Sequence, residues 1–219
     1  MYLLYLLKQL SCRVSDSLQR FRDEGIQAGL AQLGCTGARI LHQQADYVVV
    51  ANTLAEFTIT PEQRSGLVIR QAATSEEIAR LSPIADSADI ARFYKLIENG
   101  STAFAAYQND QPVGYCWASE EIDKSVNRIQ AALRLRPGDA YTHDLLVSPA
   151  YRGRGLGESL LSHCLDYLRE CGYRRAVAAI QTDNIPSLKL NRKIGYEVIG
   201  RLQHTRILFW DHFECNVPE

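Results

Sequence analysis

The chain's densest chemistry lies between Val147 and Gly157: Val-Ser-Pro-Ala-Tyr-Arg-Gly-Arg-Gly-Leu-Gly. Gly153, Gly155 and Gly157 alternate with other residues where an apolar run gives way to a helical pattern. A glycine turn opening a helix aims several backbone N–H groups at one spot, and the helix dipole adds partial positive charge there. Glycine also lets a ligand approach the backbone closely. Arg152 and Arg154 add two full charges. The arrangement suits a pyrophosphate. It lacks the Gly-x-x-x-x-Gly-Lys-Ser/Thr order of a nucleoside triphosphate loop. It also departs from the Gly-x-Gly-x-x-Gly of dinucleotide folds, follows several strands, and has no acidic ribose ligand about 20 residues on. On local chemistry alone, a tight turn with surface arginines is the competing reading.

The elements that position this loop are legible on both sides. Gly155 to Cys171 is the clearest helix: Leu156, Leu160, Leu161, Cys164, Leu165 and Leu168 form one stripe, and Gly172 ends it. Tyr141 to Val147 before it and Arg175 to Ile180 after it read as strands. Ile185-Pro186 opens a helix that runs to Ile194 and stops at Gly195. Upstream, Leu67 to Arg70 is a short strand, and Thr74 with Glu77 forms a capping box for a helical stretch that breaks near Pro83 and ends about Asn99-Gly100. Thr102 to Tyr107 and Pro112 to Ala118 are strands joined by the turn Asn109-Asp110-Gln111. Asn127 to Arg136 alternates with period two and predicts a strand, with a helix as second choice; Pro137-Gly138-Asp139 is the turn after it. Ile207 to Trp210 is expected as the last strand. The sum is a mixed α/β sheet domain.

The first 65 residues read differently. Met1 to Leu33 is expected to be helical, with Leu3, Leu4, Leu6, Leu7 and Leu10 docking on the body. Arg39 to Leu41 and Tyr47 to Ala51 suggest a hairpin turning at Gln43-Gln44-Ala45-Asp46, and Thr58 to Gly66 a linker. This predicts an N-terminal helical and hairpin extension over 1–65 and a second unit over 66–219 that carries the glycine loop, so that a chain starting near Gln63 would, if it folds, still bind the loop's ligand. The apolar run before Lys8 is far shorter than the roughly 20 residues of a membrane span, and its basic residues follow it, opposite to a secretory signal. A basic helix carrying Lys8, Arg13, Arg20 and Arg22 could touch a membrane surface peripherally.

Composition narrows the function classes. Lys plus Arg is 24 against 25 Asp plus Glu, a net charge of −1, which argues against nucleic-acid binding by bulk charge. Cys12, Cys35, Cys116, Cys164, Cys171 and Cys215 form no Cys-x-x-Cys pair. They are expected to be free thiols in a reducing, cytoplasmic compartment, with no metal site.

Asp144-Leu145-Leu146-Val147-Ser148-Pro149 through Tyr151-Arg152-Gly153, Gly155, Leu156 and Gly157 resembles the acetyl-CoA-binding motif of the GNAT superfamily of N-acetyltransferases. A second segment, Asn184-Ile185-Pro186-Ser187 through Lys193-Ile194-Gly195-Tyr196, is similar to that family's Asn-x-x-Ser/Ala … Gly-Phe/Tyr stretch. The resemblance covers about Leu67 to Trp210 and implies the GNAT acyl-CoA N-acyltransferase fold, a sheet splayed between the strands at Tyr141–Val147 and Arg175–Ile180 with the cofactor in the gap. It implies that Leu145, Leu146 and Val147 pair with the pantetheine arm, one of their amides meeting the thioester oxygen. It also implies that Arg152, Gly153, Arg154, Gly155, Leu156 and Gly157 take the pyrophosphate, and that Asn184 and Ser187 border the cofactor.

The family's usual proton-donating tyrosine, seven residues after the motif asparagine, is here Asn191, which can donate only a hydrogen bond. A thiolate with an ordinary pKa of about 8.5 leaves with no more help than that. An acceptor ammonium with a pKa of about 10 must lose a proton before it attacks. Asp144 and Tyr141 are the first choices to take it, ahead of His143 and of Glu120 or Glu121; three residues apart on a regular strand, Tyr141 and Asp144 would face opposite sides. The expected reaction is transfer of an acetyl group from acetyl-CoA to a primary amine, on a small molecule or peptide, by direct attack in a ternary complex. A CoA-binding sensor without activity, and an enzyme for longer acyl chains, share the same motifs.

Overall fold

The computed structural model describes residues 42–56, 67–120, 128–207 and 210–217. The helix expected over Met1–Leu33 and the linker expected over Thr58–Gly66 lie outside them. The described residues fall into two compact units, a large one of 46–202 with 215–217 and a small one of 42–45 with 203–207 and 210–214.

The strands are β1 (His42–Thr53), β2 (Leu67–Ala72), β3 (Thr102–Gln108), β4 (Gln111–Ser119), β5 (Asp139–Val147), β6 (Arg175–Gln181), β7 (Glu197–Ile207) and β8 (Trp210–Asn216). The helices are α1 (Ser75–Ala79), α2 (Ser87–Glu98), α3 (Arg128–Leu133), α4 (Leu156–Glu170) and α5 (Ile185–Lys193). The sheet order is β2-β3-β4-β5-β6-β1-β7-β8, antiparallel at the β2–β3, β3–β4, β4–β5 and β1–β6 junctions and parallel between β5 and β6.

Local chemistry explains most of these elements. The Thr74–Glu77 capping box opens α1, and Asp86 caps α2 by accepting from the Asp89 amide. Asn109 and Asp110 both take positive φ, 52° and 60°, the backbone that a two-residue hairpin turn demands and that these short polar side chains tolerate. Both faces of the sheet are covered. Phe104, Ala106, Cys116 and Ala118 pack under the Leu156–Leu168 stripe of α4, while Ala103, Ala105, Tyr107, Tyr115 and Trp117 pack under Ile78, Phe93 and Leu96 of α1 and α2. Alternate residues of each strand serve opposite cores, so the strands read as continuous apolar runs.

Three expectations are corrected. Residues 128–133 form helix α3, not a strand: β4 already pairs with β3 on one edge and β5 on the other, which leaves no edge for a strand between them. Gln130 and Leu133, three apart, face inward together, as helical spacing requires. No turn interrupts 43–46; β1 runs straight through them, since no glycine supplies the backbone a tight hairpin turn needs. Last, two strands, β7 and β8, stand where one short strand at Ile207–Trp210 was expected.

β1 also lies where the sequence does not place it. It pairs with β6 from Tyr47↔Gln181 to Thr53↔Arg175, inside the sheet between β6 and β7. Val49, Val50 and Leu54 are buried there, and the Asn52 amide donates to the Ile194 carbonyl at 2.9 Å. In the small unit, Asp211 accepts from Arg206 Nε at 2.7 Å and bonds His204 Nε2 at 2.7 Å, and His204 stacks on Phe213.

Candidate active site

The glycine loop is built as its sequence demands. A 3₁₀ turn, Pro149–Tyr151, follows β5, and the chain then takes positive φ at Gly153 (71°) and again at Gly155 (74°), which is the N-cap of α4. Side chains with a Cβ rarely adopt such backbone. A Cβ at Gly153 would meet nothing within 4 Å, so the outer side of the cradle is open. The first amides of α4 lack intrahelical acceptors and point along the helix axis into that opening. Arg152 folds back so that its Nε donates to the Val147 carbonyl at 3.1 Å, tying the loop to the end of β5.

β5 and β6 pair in parallel only over Asp139–Tyr141 against Arg175–Val177, and then separate. Between them opens a cavity of about 240 Å³ whose walls include Thr142, His143, Asp144 and Leu145 from β5 and Ala178 to Gln181 from β6. Asn184, Ser187 and Asn191 of the α5 segment and Tyr47 of β1 line it too. A strand that loses its neighbour presents half of its N–H and C=O groups to the gap, a ladder that an extended ligand can join. Of the expected cofactor residues, Leu145, Asn184 and Ser187 line this cavity, and Leu146 turns to the opposite face against the Trp117 cluster. The Asn184 side chain accepts from the Ser187 amide at 3.2 Å and thereby caps α5.

Asp144 is the strained point of the site. Trp117 pairs with His143 and Tyr115 with Leu146, so two residues of β5, Asp144 and Leu145, stand opposite Cys116 alone. This is a β-bulge, and Asp144 takes φ +49° within it. Aspartate tolerates that conformation better than most residues. The bulge breaks the alternation along β5, so three-residue spacing no longer assigns Tyr141 and Asp144 to opposite faces.

The Asp144 carboxylate is held by Arg92 Nη1 of α2 and by His143 Nδ1 at 3.1 Å, both on Oδ2; Arg92 also reaches Asp89 at 3.2 Å. Burial alone would raise the carboxyl pKa. The hydrogen bond from His143, with the Arg92 guanidinium, outweighs it and holds the group down at about 2. An ionised Asp144 accepts hydrogen bonds only, so the His143 proton belongs on Nδ1. His143 Nε2 then faces the Ser119 hydroxyl at 2.8 Å, which pairs onward with Ser101 at 2.9 Å.

These contacts change what the expected catalytic residues can do. Tyr141 is fully buried and stacks on His143 with ring centroids 5.4 Å apart; burial pushes its phenol above the usual range, so it keeps its proton and serves as a shelf for the imidazole. Asp144, near pKa 2, is a poor match for an ammonium about eight units higher. Asn191 lines the cavity, yet its amide already donates to the Ser187 carbonyl at 2.9 Å. His143, ranked behind the other two in sequence, is the cavity-lining ring with both nitrogens placed by partners. Arg92, Tyr47 and Ser119 gave no sequence signal: each arrives from a different element through a long-range contact. No group of three or more His, Cys, Asp and Glu able to hold a metal occurs among the described residues.

Residues 69–196 match the family model described as the Acetyltransferase (GNAT) family. The chain is similar to the L-methionine sulfoximine/L-methionine sulfone acetyltransferase of Salmonella typhimurium, 36% identical over 74 residues that make up 33% of this chain and 43% of that protein. It is similar to the L-amino acid N-acyltransferase MnaT of Escherichia coli, 38% identical over 60 residues, 27% of this chain and 35% of that one. The matches thus span less than half the length of these relatives. Among solved structures, a tandem GNAT protein from the clavulanic acid biosynthesis pathway superposes with TM-score 0.57 at 18% identity, covering 80% of this chain and 57% of the other. A GCN5-related glucosamine N-acetyltransferase region of a fungal multi-domain GH3 β-N-acetylglucosaminidase gives TM-score 0.58 at 12% identity, over 81% of this chain and 22% of the other.

Proposed function

The chain belongs to the GNAT acetyltransferase family, and from that premise we propose that it transfers an acetyl group from acetyl-CoA to a primary amine by direct attack. The observation that carries this reading is the split between β5 and β6, which opens a cavity beside a glycine cradle at the N-terminus of α4. A long ligand with a pyrophosphate at one end and a hydrogen-bonding arm at the other fits that layout. The amides of Arg152 to Gly157 hold the pyrophosphate. The gap-facing edge of Leu145 to Val147 pairs with the arm, and one of its amides meets the negative charge that develops on the thioester oxygen. Asn184 and Ser187 border the cofactor from the α5 side. No metal takes part in the proposed chemistry.

The acceptor reaches the site as an ammonium and attacks as a free amine. The new C–N bond forms as the C–S bond breaks. One nitrogen proton is lost before attack and a second follows the departing sulfur, giving the amide and CoA thiol. His143, held in one tautomer by Asp144, is the lining group that suits the first transfer once its Nε2 gives up the hydrogen bond it shares with Ser119. One relative is named for L-methionine sulfoximine and L-methionine sulfone and the other for L-amino acids, which supports a small-molecule acceptor. Free Cys116, Cys164, Cys171 and Cys215 suit a reducing cytoplasm, and no helix among the described residues is long and apolar enough to cross a membrane.

The cradle is tested by calorimetry. Gly155→Val should lose measurable acetyl-CoA affinity, because a β-branched residue resists φ +74° and crowds the anion. Arg152→Ala should lose less, since backbone amides share the load. Unchanged affinity in a folded Gly155→Val protein would show that the cofactor is held elsewhere.

A further inference from the structure

The wall of the cavity that carries His143 is charged unevenly. Arg92 is shared between Asp89 and Asp144, so one guanidinium faces two carboxylates and the cluster keeps one negative charge in excess. Both partners of Asp144 use Oδ2. Oδ1 carries no bond among the described residues, and Asp144 lines the cavity. The bulge fixes where this carboxylate stands: a positive φ between two paired stretches of β5 is not a position from which the side chain can drift with the strand.

The same cavity is lined by Tyr47, a residue from well outside the family-matched segment 69–196. Tyr47 sits at the last pair of the β1–β6 ladder, opposite Gln181, and the next backbone step is also pinned, Thr182 N donating to the Asp46 carbonyl at 2.9 Å. Tyr47 is therefore supplied to the cavity by a strand held on both sides of it. An aromatic ring and an unbalanced carboxylate in one cavity are the two groups that recognise an organic cation.

We infer that Asp144 and Tyr47 form the docking site for the acceptor's ammonium group, with Asp144 supplying the charge and Tyr47 the aromatic face. This rests on the acetyltransferase reading and gives it a substrate class: an amine that arrives as a compact cation, not a neutral arylamine. It also gives β1 a functional part, since acceptor choice depends on a residue that the family-matched segment lacks. Asp144 acts here in binding, so its loss is read in acceptor affinity and KM more than in kcat.

The test is equilibrium binding of n-propylammonium and its neutral isostere n-propanol, each titrated into the protein with and without CoA so that no turnover occurs. The ammonium should bind about tenfold more tightly than the alcohol, the scale of one charge-assisted contact. Asp144→Asn, which tolerates the same backbone, should erase that preference. Tyr47→Ala should weaken the ammonium about threefold or more and leave the alcohol unchanged, while Tyr47→Phe keeps the ring and the affinity. Equal binding of the two probes, or a preference that survives Asp144→Asn, overturns the inference. The CoA titration separates the two levels: CoA binding without ammonium preference removes only the docking site, and absence of CoA binding removes the acetyltransferase reading itself.

Discussion

Asp144 concentrates the physics of the site in one residue. It sits at a bulge, in a backbone region that costs most residues about 1 kcal/mol, and is kept ionised by His143 and Arg92 against the penalty of burial. A carboxylate whose folded pKa lies below its unfolded value adds stability that is complete above about pH 4 and is lost as pH falls toward 2. Melting temperatures between pH 5 and pH 2 should therefore fall less steeply for Asp144→Asn than for the parent protein; parallel curves would mean the ion pair does not form in solution. Asn191 gives a second prediction at this scale. Its amide is spent on Ser187, so Asn191→Ala should lower turnover by no more than about tenfold, the value of one hydrogen bond, with the loss seen equally at all pH values. A loss of a hundredfold would make it a direct donor to the leaving thiolate. His143→Gln should cost about a hundredfold or more, and the deficit should shrink as pH rises and free amine appears. A deficit that does not change with pH would leave deprotonation to water.

At the scale of elements, β1 separates what sequence could say from what it could not. Its valines read as a strand, but nothing local tells a strand where to pair, and the strand it meets, β6, lies more than a hundred residues away in sequence. The contrast with α4 is direct: its leucine stripe, its cap and its glycine stop are all local, and they give the helix and the loop before it together. The period-two pattern of 127–136 misled because edge availability, a property of the whole sheet, decided against it. The bulge at Asp144 was hidden for a related reason, since no glycine marks it. Val49 and Val50 of β1, and Leu54 just past its end, are buried, so removing the segment loses apolar contacts worth about 1.5–3 kcal/mol per side chain, against a net stability of about 5–15 kcal/mol for a typical domain. A chain starting near Gln63 should therefore melt far below the full chain or fail to give dispersed NMR amide signals. A truncated protein with full-length thermal stability and CoA affinity would make residues 1–65 an appendage to the 66–219 unit.

For the whole molecule, the glycine cradle follows the end of β5 and the cavity opens where β5 parts from β6, the layout proposed to hold the cofactor. Two motifs in the sequence carry the proposed cofactor side, because glycines and a helix start are local and their chemistry is narrow. The proposed acceptor side was legible only at Asp144, because Tyr47 and Arg92 come from β1 and α2, far from it in sequence, and no local pattern announces the bulge that sets Asp144 in place. The proposed layout brings an acetyl group to an amine. Its most direct test is thiol release from acetyl-CoA by the full chain, measured against a panel of amino acids, amino sugars, polyamines and peptides, with the acylated product identified by mass spectrometry. The account predicts amine-dependent release with one N-acetylated product formed for each thiol freed, and a marked preference for compact aliphatic ammonium acceptors. Tight CoA binding with no amine raising thiol release above the rate of hydrolysis would contradict it and leave a CoA-binding module without transferase activity.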